Sequence, residues 1–216
     1  MTSKKVPATL VNIGGTSVVL KSELHPDSVL KITYHKNNIK FCESMITNHF
    51  PGLPSVKRIT ESEAKIIDFS EAMELLASGL DNWDLEEMIQ NIRDDITANW
   101  GSVNLASKNY KIYLIKEYQP IAGASELAVS LQKIIDKIEF DIDFWSDLDN
   151  LPQFGRLLIH HIPSEYLYPG SIKKLIELGR KLFKKGEACI DLLQAASNPN
   201  VMIDANNKII FSDPFI

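Results

Sequence analysis

The last residues of the chain contain two short apolar runs separated by an Asn-Asn turn. The runs at 201–203 and 208–212 have the length of short strands, and the asparagines at 206–207 favour a tight turn between them. Two antiparallel strands joined in this way bring together the residues at their far ends, which here are Asn200 and Asp213. The sequence therefore predicts a terminal hairpin whose open end presents an amide beside a carboxylate.

This pair of side chains is typical of a site for a hard cation. The amide oxygen of Asn200 and the carboxylate of Asp213 are oxygen ligands, which Mg²⁺ prefers. Phosphate oxygens and water can complete its octahedral shell when the metal is carried by a nucleotide. The hairpin is therefore predicted to hold Mg²⁺ bound to a nucleotide.

The sequence around the pair resembles the protein-kinase superfamily. There, an Asn of the catalytic loop and the Asp of a D-F-G segment hold the metal, and Asn200 and Asp213 have the same thirteen-residue separation, with Asp-Pro-Phe in place of D-F-G. The segment is most similar to the early serine/threonine protein kinases of short-tailed bacteriophages, whose pattern is D-x-H-x-G-N-[IV]-M followed by I-T-D-P. The resemblance implies ATP and Mg²⁺ as cofactors and host proteins as substrates.

A run of small residues near the N-terminus resembles a degenerate glycine-rich phosphate loop. The residues are Gly14, Gly15, Thr16 and Ser17, between two predicted strands. Small residues of this kind let backbone N–H groups approach phosphate oxygens. Taken alone, two adjacent glycines are more typical of a plain hairpin turn, so it is the resemblance that implies a role in phosphate binding.

The segment at 29–32, Val-Leu-Lys-Ile, resembles the V-A-I-K strand of kinases. The resemblance places Lys31 at the α- and β-phosphates of ATP. It also implies that Glu43, on the helix that follows, pairs with Lys31 and orients it. Taken alone, a lysine in a strand is more typical of a solvated charge at a sheet edge.

The segment at 112–118 resembles the kinase strand and hinge behind the adenine base. It consists of apolar and β-branched residues that end in Glu117 and Tyr118. The resemblance implies that backbone groups near Glu117, Tyr118 and Gln119 meet the edge of the base.

One position departs from the family in a way that affects chemistry. The catalytic Asp of kinases lies five residues before the metal-binding Asn, and here that residue is Ala195. A methyl group cannot accept the proton of a substrate hydroxyl. Two explanations stay open: a natural pseudokinase that binds nucleotide, or an active kinase disarmed by this single substitution.

The middle of the chain has a distinct charge. Residues 61–99 hold eleven acidic and two basic side chains, a balance of −9 in a chain whose net charge is −5. We interpret 61–105 as an acidic helical insertion packed on the body of the protein, and Leu85, Met88, Ile89, Ile92 and Ile96 as part of its apolar face. Such a field would steer a basic partner. The alternative function is therefore a non-catalytic binding protein that inhibits a host target.

The order of these patterns predicts an α+β fold, and the resemblance implies a two-lobed, protein-kinase-like domain over residues 1–216. Residues 1–117 would form the N-terminal lobe, and 118–216 a truncated helical C-terminal lobe. The predicted strands of the first lobe are 9–13, 17–22, 28–34, 56–59, 65–69 and 110–117. The predicted helices are 38–49, 125–138 and 171–186, with Ser125 and Ser171 as the capping residues of the last two.

Charge and composition limit the classes of partner and the cellular compartment that we expect for this protein. The negative net charge argues against a protein whose main task is to coat nucleic acid. No apolar stretch is long enough to span a bilayer, and no apolar segment of the signal-peptide type follows the first five residues. With only two cysteines, Cys42 and Cys189, we expect a cytoplasmic protein. The sequence predicts no oligomeric state.

Overall fold

The structure of the protein is a computed structural model with helices and strands in both of its parts, which confirms the α+β class. It divides into two compact units, Met1–Cys42 with Val56–Glu117, and Glu43–Ser55 with Tyr118–Ile216. The residues that the structure describes are 5–14, 17–78, 89–90, 94, 105, 110–121, 125–138, 150–184, 200–212 and 214–215.

The first unit opens with a meander of three antiparallel strands, as predicted. They are β1 (Val6–Gly14), β2 (Ser17–Ser22) and β3 (Ser28–Thr33). Their β-branched residues suit a pleated sheet, and the register of β1 shifts once, between Leu10 and Asn12. Helix α1 (Lys36–Thr47) follows β3 and begins two residues before the predicted start.

Three more strands complete a six-stranded sheet. They are β4 (Val56–Arg58), β5 (Ile67–Asp68) and β6 (Lys111–Lys116), and the strand order is β4-β6-β3-β2-β1-β5. Every pairing is antiparallel except that of β5 with β1. Strand β3 therefore lies in the interior of the sheet, between β2 and β6.

The predicted strand at 65–69 is wrong over its first part. Residues Glu61–Ile66 form helix α2, and only the two residues of β5 are extended. The helix starts in a capping box: the Thr60 hydroxyl accepts a hydrogen bond from the Glu63 N–H, and the Glu63 carboxylate accepts one from the Thr60 N–H at 2.7 Å. This local pattern of Thr followed three residues later by Glu favours a helix start, and it outweighs the β-branched content that suggested a strand.

The acidic segment contributes to the core of the first unit. Helix α3 (Ser70–Ser78) exposes Glu71 and Glu74 and buries its apolar side. Of the predicted apolar face farther along, Ile89 is buried, and the other four residues lie outside the described part. The buried cluster joins residues of this segment to the sheet; it includes Ile67, Phe69, Ala72, Met73, Leu76, Val18, Leu20, Leu30, Ile32, Ile112 and Leu114.

The second unit contains three α-helices in its described part: α4 (Glu126–Ile138), α5 (Leu151–His161) and α6 (Ser171–Leu182). The predicted cap of α4 is confirmed, because Ser125 Oγ accepts a hydrogen bond from the Ala128 N–H at 3.1 Å. The sequence reading missed α5. Within the described ranges, no helix is both long and apolar enough to cross a membrane.

The predicted start of α6 is wrong by one residue. Gly170 precedes the helix in the left-handed region, at φ 76°, and Ser171 is already the first helical residue and is buried. The helix ends at Leu182, where the Phe183 N–H bonds to the Gly179 carbonyl, so it stops before the predicted end at residue 186. Glycine reaches this φ without steric cost, which allows the sharp entry into the helix.

A three-stranded antiparallel sheet completes the second unit and confirms the terminal hairpin. Strand β8 (Val201–Ile203) lies between β7 (Gln119–Pro120) and β9 (Ile209–Phe211). The turn between β8 and β9 includes Asn207 at φ 57°, a conformation that asparagine tolerates better than most residues. Strand β7 was not predicted; its proline is compatible with an edge strand, where no N–H is needed.

Gly52, in the loop after α1, connects this loop to two other parts of the second unit. Its carbonyl accepts a hydrogen bond from the Phe211 N–H at 2.9 Å, and its φ is 83°. A Cβ atom built on Gly52 would lie 2.6 Å from the Cβ of Ser171. The close approach and the positive φ both require glycine here.

We predict that Gly52→Ala destabilises the protein more than Gly170→Ala does. Both glycines have positive φ, but a Cβ at Gly170 meets nothing within 4 Å. The control should therefore lose only the conformational term, about 1–2 kcal/mol, whereas Gly52→Ala adds a steric term of about 1–3 kcal/mol. Urea denaturation measures both variants, and equal losses would contradict the packing described at Gly52.

Candidate functional site

Lys31 lies on an interior strand and is almost completely buried. Lys31 is 5% exposed. In the register of the sheet it lies opposite Val19 on β2 and Tyr113 on β6. It is therefore not a solvated charge at a sheet edge. Lysine is rarely buried to this extent unless its ammonium group is paired, which makes this position unusual for a purely structural lysine.

The sheet has two different faces at this point. Leu30 and Ile32 point into the hydrophobic cluster, so Lys31 between them points to the opposite face. On that same face Lys21 Nζ lies 2.5 Å from Glu117 Oε2, in a half-exposed ion pair. The structure thus puts the predicted phosphate-binding lysine and the side chain of the predicted hinge glutamate on one face of the sheet.

Two groups of Glu117, its backbone N–H and its carboxylate, already have hydrogen-bond partners within the first unit. Its N–H donates to the Asp27 carbonyl at 3.0 Å, and its side chain is engaged with Lys21. Because that N–H cannot also donate to a base, any base contact at Glu117 uses its carbonyl oxygen. The Lys21–Glu117 pair was missed from the sequence because it joins residues 96 positions apart.

The predicted phosphate loop is described only at its two ends. Gly14 and Ser17 face each other where β1 and β2 meet, and Ser17 is buried; Gly15 and Thr16 lie outside the described residues. A methyl group on Gly14 would make only ordinary van der Waals contacts, with Ser17 at 3.7 and 3.9 Å. Packing at this position therefore does not demand glycine.

Glu43 lies on α1, half-buried, between the buried residues Cys42 and Met45. It belongs to the second unit, whereas Lys31 belongs to the first. The ion pair between Lys31 and Glu43 stays a prediction. Ala195 lies outside the described residues.

Asn200 immediately precedes β8 and is 8% exposed. Its carbonyl accepts a hydrogen bond from the Ser212 N–H at 2.9 Å, which closes the open end of the hairpin. Asp213, the next residue in the sequence, lies outside the described residues, while Pro214 and Phe215 after it are buried. The structure thus pairs Asn200 with the residue that directly precedes the second predicted metal ligand.

The small sheet joins the predicted hinge to the strand that follows Asn200. Strand β7 begins directly after Tyr118, and its Gln119 pairs with Ile203 of β8. The Tyr118 hydroxyl oxygen accepts a hydrogen bond from the Ser55 N–H at 2.9 Å, and burial raises the pKa of Tyr118. The strand after the predicted hinge and the Asn200 hairpin therefore belong to one three-stranded sheet.

A carboxylate that sequence reasoning missed supports the turn of this hairpin. Burial alone would raise the pKa of Asp204, but hydrogen bonds from the Tyr168 hydroxyl and from the backbone N–H groups of Lys208 and Asn206 outweigh it and lower the pKa. An Asp two residues before Asn206 is a turn signal that could have been found in the sequence. The contact with Tyr168, 36 residues away, could not.

The comparisons with known proteins assign no family to this chain. No protein-family model, curated protein or solved structure gives a significant match to this chain. Within the described ranges, no group of three or more His, Cys, Asp or Glu side chains could hold a metal ion.

We predict that Asp204→Asn destabilises the protein in a pH-dependent way. The pKa of Asp204 is lower in the folded state, so its carboxylate stabilises the fold above the unfolded pKa, and this contribution is lost as the pH falls through the folded pKa. The difference between the unchanged protein and Asp204→Asn should be full near pH 7 and should shrink below about pH 4. Urea denaturation at several pH values measures it.

Tyr168→Phe is the matched control for this prediction. It removes one hydroxyl donor and leaves the carboxylate with its two backbone donors, so we expect a smaller loss of roughly 1 kcal/mol near neutral pH. A gap between Asp204→Asn and the unchanged protein that stays constant from neutral to acidic pH would contradict the role of the charge.

Proposed function

We propose that this chain is an ATP- and Mg²⁺-dependent serine/threonine protein kinase of the bacteriophage type, which acts on host proteins in the cytoplasm and whose catalysis is impaired by Ala195. The observation that carries the proposal is the three-stranded sheet of the second unit. There Gln119, just after the predicted hinge, pairs with the strand that follows Asn200, and Asn200 pairs with the residue before Asp213. These are the segments that the kinase resemblance assigns to the nucleotide and its metal.

The proposed fold is a kinase-like domain with two lobes and an abbreviated C-terminal lobe. Three antiparallel strands are followed by α1 and then by β4 and β6, which is the strand-strand-strand-helix opening that the resemblance implies. Helices and the terminal hairpin follow in the second unit. In this proposal residues 1–117 are the N-terminal lobe and 118–216 the C-terminal lobe.

In the proposed mechanism Lys31 binds the α- and β-phosphates of ATP and Glu43 orients it. The burial of Lys31 supports this role, because a buried ammonium group interacts more strongly with phosphate charge than a solvated one. The small residues from Gly14 to Ser17 would let backbone N–H groups approach the phosphates. The carbonyl of Glu117 would accept a hydrogen bond from the base.

Asn200 and Asp213 are the proposed metal ligands. Two oxygen ligands from the protein fit Mg²⁺, which usually keeps water and substrate phosphates as its remaining ligands. When bound, Mg²⁺ neutralises charge on the β- and γ-phosphates. The low exposure of Asn200 and the hydrogen bond at its carbonyl keep the backbone at this ligand fixed.

Ala195 limits what this chain can catalyse. In kinases the residue at this position accepts the proton of the substrate hydroxyl, and alanine has no group that can do so. Loss of a general base costs roughly 10²–10⁴-fold in rate. We therefore expect this chain to bind nucleotide normally and to transfer phosphate slowly.

The second candidate is a non-catalytic pseudokinase that inhibits a host target through its acidic surface. Two observations favour it: Ala195 itself, and the balance of −9 in residues 61–99, of which Glu71 and Glu74 are exposed on α3. Its partner would be a basic host protein. The absence of nucleotide binding would favour this candidate, because a binding protein needs no ATP with Mg²⁺, whereas the proposed kinase site does.

We predict that ATP raises the melting temperature more with Mg²⁺ than with EDTA. A ligand that binds only the folded state stabilises it by about 2.7 kcal/mol at a hundredfold excess over Kd. Asp213→Asn should reduce the part that depends on Mg²⁺. Lys31→Met should weaken ATP binding with and without metal, while Lys57→Met, an exposed lysine on β4 of the same sheet, should leave the shift unchanged.

Two results of this titration would count against the kinase proposal. Absence of a shift with ATP in Mg²⁺ or EDTA would favour the binding protein. A shift that is equal in Lys31→Met, Asp213→Asn and the unchanged chain would mean that nucleotide binds elsewhere.

A further inference from the structure

Helix α6 exposes a face that is almost entirely cationic. Lys173, Arg180 and Lys181 are exposed along two turns of the helix, and the opposite side is buried. The one acidic residue of the exposed face, Glu177, forms ion pairs with Lys174, at 2.9 Å, and with Lys173, at 3.8 Å, so positive charge is in excess on this face. We call Lys173, Arg180 and Lys181 the basic face of α6.

Helix α3 of the first unit exposes a face of opposite charge. Glu71, Glu74, Leu75 and Ser78 are exposed and follow the spacing of one helix face. Leu75 is 54% exposed, one of four large hydrophobic residues that are at least half exposed in the described part of the chain. Leu75 therefore places one apolar side chain among the carboxylates of this face. We call Glu71, Glu74 and Leu75 the acidic face of α3.

We propose that the basic face of α6 binds the acidic face of α3 in a second copy of this chain, so that a two-fold dimer contains the contact twice. The basic face covers residues 173–181, about 12 Å of helix axis, and the acidic face covers residues 71–75, about 6 Å, so the acidic face fits within the length of the basic face. The aliphatic stems of the lysines would cover Leu75. This proposal does not depend on the proposed kinase function.

A second copy is the occupant that the charges favour. The complement of the basic face is present in the same chain, on a helix that also exposes the leucine. Nucleic acid fits less well, because the chain as a whole is negative, at −5, and would repel phosphate. A two-fold arrangement uses each face once in each copy and closes without forming a filament.

Salt sensitivity is the signature of such a contact. Both faces lie in solvent, where ion pairs are weakened by screening. The screening length falls from about 30 Å at 0.01 M salt to about 8 Å at physiological ionic strength. The dimer should therefore be most populated in low salt and should dissociate as salt is added.

Sedimentation velocity of the full chain at low and physiological ionic strength tests the proposal. We expect a concentration-dependent dimer that Lys173→Glu/Arg180→Glu/Lys181→Glu abolishes. The control reverses three exposed cations elsewhere, Lys40, Lys57 and Lys116, and so changes the net charge equally. This control should still form the dimer.

A charge swap identifies the partner face. Glu71→Lys/Glu74→Lys should also be monomeric by itself, because its two faces now repel. Mixed with the α6 triple variant, it should form a heterodimer, since each contact then pairs opposite charges. Circular dichroism and thermal melts of both variants check that the fold is intact.

Three results would overturn the proposal. They are a chain that stays monomeric in low salt, a dimer that the α6 reversal leaves intact, and a mixture of the two variants that does not associate. Binding of duplex DNA by the unchanged chain, lost in the α6 variant while no dimer forms, would assign the basic face to nucleic acid instead. None of these results bears on ATP binding, so the two proposals fail separately.

Discussion

The hydrogen bond from the Ser212 N–H to the Asn200 carbonyl fixes the register on which the functional interpretation depends. A slip of one residue would turn every side chain of one strand to the other face of the hairpin. The register is supported at both ends, by Gly52 on Phe211 of β9 and by Asp204 at the turn. These contacts define the pairing of the two hairpin strands.

The burial of Lys31 is the corresponding constraint in the first unit. A charged side chain on an interior strand costs desolvation free energy, which a fold retains only when partner groups compensate it. The ion pair of Lys21 with Glu117 on the same face holds the end of β6, from which the proposed hinge starts.

Local patterns in the sequence were enough to predict the meander, α1, α4 and the terminal hairpin, because each has its own periodicity, cap or turn residue. The strand at 65–69 failed because the capping box of Thr60 and Glu63 was overlooked. The ion pair of Lys21 with Glu117 and the hydrogen bond of Tyr168 to Asp204 could not be predicted, since each joins distant residues. The resemblance implies the roles of Lys31, Glu43, Asn200 and Asp213. The structure adds that Lys31 is buried on an interior strand and that Asn200 is buried, with its carbonyl bonded to the Ser212 N–H.

We propose that this chain carries a kinase-like site whose catalysis is impaired because Ala195 stands at the position of the base. The most direct measurement restores the acid as Ala195→Asp and follows transfer of labelled γ-phosphate to the chain itself and to proteins of a bacterial lysate. We expect a gain of roughly 10²–10⁴-fold over the unchanged chain, and none for Ala195→Asn, which has a similar size and no base. No gain with Ala195→Asp, while the fold and ATP binding are intact, would contradict the account.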